Sequence, residues 1–332
     1  MDEKYKATLK SAETEAWLDL HVIRPLCYYL AVIFAKFDIH PNTVTIASMF
    51  IGAGSAIFFG CASYHYCGWN GLMLNFVAIV LLMIADIFDC TDGQLARMTG
   101  KKSPLGRILD GAAGFTWFVP IYLAMTWRFY QHHDLEFSWL GIADTQQNAI
   151  IAAVVCFGFA LWSGFAGISG QQRLADYYIN VHLFFLKGEK GSELDNSRRQ
   201  QQIYDQMTPA TPWIERWFQK SYVGYTQSQE EATPMFQLLM DRLRKRYGDG
   251  TTVSAHDIPE EFREDFRQKS LPVIFWNGLL TFNFRSFWLF LFCLLDVPVM
   301  NFLWEIVAMG LLCCYVNRRH EAFCKKIADD LD

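Results

Sequence analysis

The sequence predicts an all-α integral membrane protein. It has six transmembrane helices, an N-terminal interfacial amphipathic helix and a helical cytoplasmic insertion. Three observations predict this. Of 332 residues, 52% are hydrophobic and 16% aromatic, more than an ordinary soluble domain carries. Charged residues cluster at 1–15, 97–107, 187–270 and 317–332. The weakly charged stretches between these clusters reach the roughly 20 apolar residues that a spanning helix needs. The net charge of −5 is mild and predicts no nucleic-acid partner, which would call for a basic face.

The elements follow in order. The start, MDEKYKATLKSAETEAWLDL, is polar and acidic, unlike the basic start and short apolar core of a cleavable signal peptide. In WLDLHVIRPLCYYLAVIFAKF (17–37), Asp19, His21 and Arg24 interrupt the apolar residues and Pro25 follows. This segment is expected to lie in the membrane interface rather than to span. The first span is expected at 42–61, since Pro41 suits a first turn, where its missing N–H costs nothing. The next are 70–96, 105–128 and 148–174. The last two lie near 276–296 and 299–316.

Loops 62–69 and 129–147 contain no Lys or Arg, while 97–107, 187–270 and the tail are rich in them. The positive-inside rule then puts both termini in the cytoplasm, and the plasma (inner) membrane is the expected location. The expected division is 1–38 for the N-terminus and interfacial helix and 39–179 for the first four spans. Residues 180–272 form the insertion, and 273–332 the last two spans and tail. Within the insertion, Trp213, Trp217 and Phe218 either meet the membrane surface or cover a site, or the whole is a helical unit with its own small core. Cys61 and Cys67 share a short outer loop where a disulfide is allowed. Cys90, Cys156, Cys293, Cys313 and Cys314 read as small buried hydrophobes.

The chemistry concentrates in DIFDCTDGQLARMTGKKSPLGRILDGAAG, residues 86–114. Asp86, Asp89 and Asp92 recur at i, i+3, i+6, along one face of the second span near its cytoplasmic end. Three unpaired carboxylates there repel one another and resist burial. A hard divalent cation, Mg²⁺ or Mn²⁺, removes the conflict. Asp110 starts the third span and can close on the same ion. Arg97, Lys101, Lys102 and Arg107 lie beside the acids. A metal with several cations is what holding a diphosphate requires, and Gly93 and Gly106 allow a ligand close to the backbone. The competing reading is a solvated helix end. Acids at membrane depth are more often functional.

These residues resemble the signature of the CDP-alcohol phosphotransferases. The spacing D-x2-D-G-x2-A-R-x8-G-x3-D is present as Asp89, Asp92, Gly93, Ala96, Arg97, Gly106 and Asp110. The interfacial helix, the HPNTVT lead into the first span and the six spans are similar too. The resemblance covers about 17–180, and 275–316 only by hydropathy. It implies transfer of a phosphatidyl or phospho-alcohol group from a CDP-linked donor, often CDP-diacylglycerol, to an acceptor hydroxyl with release of CMP. That is a step of phospholipid biosynthesis. It implies that Asp89, Asp92 and Asp110 hold Mg²⁺ or Mn²⁺ on the diphosphate. It also implies that Gly93, Ala96 and Arg97 hold the nucleotide, with Gly106 beside them, and that the protein is a homodimer in contact with membrane lipids. The acceptor is a small alcohol or a phosphorylated one.

The family pattern continues to a last aspartate, taken as the base for the acceptor. Here Gly114 stands there. Asp86 is the candidate displaced base. The alternatives are an acceptor that needs little base help, or a chain that binds CDP-lipid and metal without transfer. A prenyl-diphosphate transferase, another aspartate–Mg²⁺ enzyme, would need a second aspartate-rich motif that 275–316 lacks.

Asn42 and Thr45 serve either the first turn of the first span or the nucleotide. Arg173 is either a positive-inside anchor or, with Gln171, Gln172 and Asp176, a ligand of an acceptor or lipid phosphate. Lys102 and Arg107 join it as candidate phosphate ligands. His21, His40 and His182 are expected at the interface. Asp296 and Glu305 are expected to be solvated around an outer turn.

Overall fold

The computed structural model describes residues 11, 13–15, 19–101, 103–189 and 191–331. Among these, every regular element is helical. In chain order they are α1 (Arg24–Lys36), α2 (Pro41–Cys61), α3 (Trp69–Thr99), α4 (Pro104–Gln131), α5 (Asp134–Leu140), α6 (Gln146–Ser163) and α7 (Gln172–Lys187). Then come α8 (Ser197–Asp205), α9 (Trp213–Ala232), α10 (Pro234–Tyr247) and α11 (Glu260–Asn277). The last are α12 (Phe282–Leu294), α13 (Val299–Trp304) and α14 (Gly310–Asp329). The chain divides into a first unit, Met1–Ser169 with Phe282–Gly310, and a second, Gly170–Thr281 with Leu311–Asp332.

Local chemistry sets the helix ends of the first unit. His40 caps α2, its Nδ1 accepting from Asn42 N at 3.2 Å, and Pro41 fills the first turn. Ser103 caps α4 by accepting from Gly106 N at 2.9 Å, again followed by a proline. Gly100, at φ 70°, ends α3 in the left-handed conformation, which costs glycine little. Between these ends α2 packs against both α3 and α4. At Gly52 a Cβ would overlap the Trp117 indole, whose Nε1 donates to Ser48 O at 3.0 Å. Small residues let helix backbones approach this closely. Phe59, Leu82, Ile121, Met125, Leu289 and Phe302 complete the buried core.

The N-terminal segment enters through a π-helical turn, Asp19–Ile23, and continues as α1. Cys27 and Ala31 are buried, while Tyr29, Ile33 and Phe37 are exposed.

Among the described residues, four helical stretches are long and apolar enough to cross a membrane: Pro41–Cys61, Trp69–Thr99, Gln146–Ser163 and Val299–Asp329. The stretch expected as a fifth span, 276–296, is interrupted. Here α11 ends at Asn277, a 3-10 turn covers Gly278–Leu280, and α12 has 13 residues. The sixth runs on through a π-helical turn, Glu305–Met309, into α14, so the basic tail is helical. The expected 148–174 stretch likewise continues through a π-helical segment, Gly164–Gln171, into α7. Cys61 and Cys67 are free thiols.

Asp296 and Glu305 correct the expectation of solvated acids. Glu305 is 1% exposed. It pairs with Arg285 at 3.0 Å and accepts from Tyr122 Oη at 2.5 Å, Asn301 Nδ2 at 3.2 Å and the Ser163 hydroxyl. Asp296 pairs with buried Arg128 and accepts from Ser63 Oγ at 2.9 Å and His65 N at 2.8 Å. Arginine and hydrogen-bond donors meet both carboxylates, as burial demands most strictly of Glu305.

The second unit has a core of its own. Phe185 stacks on Phe266 at 3.9 Å between centroids, and Phe236, Leu239 and Leu243 are buried. His182 is not interfacial: it is fully buried, its Nδ1 2.6 Å from Ser270 Oγ. Trp213 and Trp217 on α9 are exposed.

Candidate metal and nucleotide site

The carboxylates converge as their spacing suggests. One oxygen each from Asp89, Asp92 and Asp110 lies within 4.8 Å of the others. Asp89 and Asp92 sit one turn apart on α3, and Asp110 comes from the first turns of α4. Asp86 is not in this group. It lies within electrostatic reach of Asp19, ahead of α1, of Arg24, the first residue of α1, and of Asp89.

Each acid has a different setting. Asp92 is 5% exposed and accepts a hydrogen bond from the Thr45 hydroxyl, on α2. Asp110 is exposed. Asp89 Oδ1 is buried and makes no hydrogen bond, an arrangement that costs free energy unless something positive meets it. An orphaned carboxylate oxygen, two neighbouring carboxylates and an all-oxygen donor set fit a hard divalent ion. The residues present therefore suit the expected metal.

Asn42 and Thr45 do not cap α2, because His40 does. Their side chains reach the neighbouring helices instead, Thr45 to α3 and Asn42 to the residue that caps α4. Thr45 Oγ1 bonds Asp92 and also Pro41 O at 3.2 Å. Asn42 Nδ2 lies 3.4 Å from Ser103 Oγ. A Cβ added at Gly106 would stand 2.8 Å from Asn42 Oδ1 and 3.1 Å from Ser103 Oγ, so this close approach of α2 to α4 needs glycine. Arg97 folds back over Gly93, with Nη1 3.5 Å from where a Cβ would be. It also lies within electrostatic reach of Asp92. Ala96 is half-buried on the same helix end. Lys101 is held by Asp38 at 2.5 Å, and that ion pair holds the Asp38 carboxyl below its usual range.

Residues 38–164 match the family model described as CDP-alcohol phosphatidyltransferase. Over these residues the chain is similar to CDP-alcohol phosphatidyltransferases. No curated protein matches the chain. Members of that family are transferases that take a phosphatidyl or phospho-alcohol group from a CDP-alcohol. With the long apolar helices, this likeness fits an integral membrane protein.

The domain holds all of these site residues. Lys102 lies outside the described residues, and of Arg107 only the backbone is described. Arg173 belongs to the second unit, on the first turn of α7, where its carbonyl accepts from Gln229 Nε2 at 3.1 Å. At Gly114 a Cβ would meet nothing within 4 Å, so the position opens on free space one turn beyond Asp110. Sequence reasoning missed Ser103, which both caps α4 and meets Asn42. Its signal was the Ser-Pro pair that starts a helix.

Proposed function

We propose that the protein transfers a phosphatidyl or phospho-alcohol group from a CDP-linked donor, CDP-diacylglycerol foremost, to the hydroxyl of a small or phosphorylated alcohol, with release of CMP. The observation that carries this reading is the convergence of Asp89, Asp92 and Asp110 inside the family domain.

In this reading the three aspartates hold Mg²⁺ or Mn²⁺. The bound ion would supply charge neutralisation at the donor diphosphate. Thr45 orients Asp92. Asn42, Gly93, Ala96, Arg97 and Gly106 hold the nucleotide, and Lys102, Arg107 and Arg173 the phosphates of donor or acceptor. The acceptor oxygen forms a new bond to phosphorus, the bond to CMP breaks, and CMP leaves. The acceptor proton goes to a carboxylate, with Asp86 the candidate base and Asp110 beside the reacting group. In this reading the chain is a six-span homodimer in the plasma membrane, and the Lys and Arg distribution supports cytoplasmic termini.

One observation favours a second reading, a chain that binds CDP-lipid without transfer: Gly114 replaces the family's last acid. Purified protein with CDP-diacylglycerol, Mn²⁺ and a panel of alcohols tests both. CMP release with any acceptor supports transfer. Donor binding without CMP release from any acceptor selects the second reading.

A further inference from the structure

A second group of metal-ligating side chains sits beyond the other end of α4. At about 1.5 Å per residue, the helix from Asp110 to its end spans about 30 Å, so the two groups are well separated. His133 lies between α4 and α5, Asp134 begins α5, and Asp144 precedes Thr145, the cap of α6. An imidazole nitrogen of His133 and one carboxylate oxygen each of Asp134 and Asp144 all lie within 4.8 Å of one another.

The tautomer of His133 gives this group its meaning. Its Nδ1 lies 3.0 Å from Tyr130 O. A carbonyl only accepts, so Nδ1 carries the hydrogen. Nε2 then faces Asp144 Oδ1 at 3.2 Å. In the neutral ring these are two acceptors pointing at each other, and a cation bound between them satisfies both. Anchoring one ring N–H on a backbone carbonyl is how a metal-binding histidine is held with its other nitrogen presented. The spacing agrees: ligand atoms about 2.0–2.1 Å from a tetrahedral zinc stand about 3.4 Å apart. His133 is 8% exposed, so the ring is fixed, while both aspartates are exposed and reachable. Nearby, Glu136 Oε2 is buried and makes no hydrogen bond, and it lies within electrostatic reach of His133. Cation binding would relieve that acid too.

We propose that His133, Asp134 and Asp144 form a divalent transition-metal site suited to Zn²⁺. One imidazole with two carboxylates selects zinc over Mg²⁺, which prefers oxygen alone and near-octahedral geometry. Three protein ligands leave a coordination position for water. The site is independent of the proposed transfer reaction.

The test uses the full-length, tag-free protein in nanodiscs, stripped with chelator and kept in excess Mg²⁺ to occupy the aspartate cluster on α3 and α4. Zn²⁺ is titrated calorimetrically. Wild type is expected to bind one Zn²⁺ per chain, and H133Q and D144N to bind it at least tenfold more weakly. X-ray absorption at the zinc edge of the wild-type complex is expected to show imidazole scattering, a readout that does not depend on the variants folding. Absence of Zn²⁺ uptake, equal affinity in all three proteins, or a shell without imidazole would overturn the proposal.

Discussion

Arg285 and Glu305 form an ion pair at 3.0 Å with both side chains fully buried. Tyr122, Ser163 and Asn301 close the remaining acceptor positions of the carboxylate. Removing one member of such a pair leaves the other charge buried and alone, which costs about 3–5 kcal/mol. Glu305→Ala is expected to lower the thermal unfolding midpoint in detergent sharply. The double change Arg285→Met with Glu305→Met is expected to recover much of the loss, because neither charge then remains. Equal midpoints for Glu305→Ala and wild type would show that the pair contributes little.

Thr45 reaches Asp92 across the contact between α2 and α3. A hydroxyl that orients a ligating carboxylate is worth about 10- to 100-fold in metal affinity. Thr45→Val keeps the shape and removes the hydrogen bond, so Mn²⁺ affinity measured calorimetrically is expected to fall by about that factor. Unchanged affinity would make Thr45 a packing residue only.

Much of this site was legible because it is local. The i, i+3 spacing of Asp89 and Asp92 puts them on one helix face whatever the tertiary structure, and Asp110 follows after a short connection. The contacts made by Thr45 and Asn42 were not legible. They depend on how α2 packs against α3 and α4, and the same residues are equally good helix starters. Glu305 was misread for a related reason. Its partners Tyr122, Ser163 and Arg285 lie far away in sequence, and an acid near an expected outer turn looks solvated until those partners are placed. The break at Gly278–Leu280 also escaped notice, since the hydropathy of GLLTFN resembles that of a continuous helix.

Asp89 and Asp92 lie in the three-carboxylate group, whereas Asp86 lies outside it. Asp89→Asn and Asp92→Asn are therefore expected to lose metal-dependent binding of CDP-diacylglycerol. Asp86→Asn is expected to keep that binding and, if Asp86 takes the acceptor proton, to lose turnover by about 10²-fold or more. Equilibrium binding of the donor with and without Mn²⁺ separates the two classes. Asp86→Asn with full turnover would remove Asp86 from the reaction.

Gly106 faces Asn42 too closely to accept a side chain. In Gly106→Ala the methyl group must push Asn42 Oδ1 or Ser103 Oγ away, and the contact between the two helix starts opens. Losing one such hydrogen bond costs about 1 kcal/mol of stability, a small shift in the unfolding midpoint; if Asn42 holds the nucleotide, its displacement is expected to lower donor affinity several-fold as well. A fall in stability with donor affinity intact would assign Gly106 to packing.

Gly114 gives the most direct test of the transfer reading. It lies one helical turn beyond Asp110, and a Cβ there meets nothing within 4 Å, so Gly114→Asp can be accommodated without moving a neighbour. A general base in place is worth about 10²- to 10⁴-fold in rate. If loss of this carboxylate is what limits the protein, CMP release by Gly114→Asp is expected to exceed that of wild type by at least tenfold with the same acceptor, at equal donor affinity. If Asp86 already serves as base, the new acid adds a like charge near three others and the rate is expected to stay level or fall. Comparing Gly114→Asp with Gly114→Asn isolates the proton acceptor from the added bulk. A gain shared by both variants would mean that helix geometry, not acid–base chemistry, changed the rate.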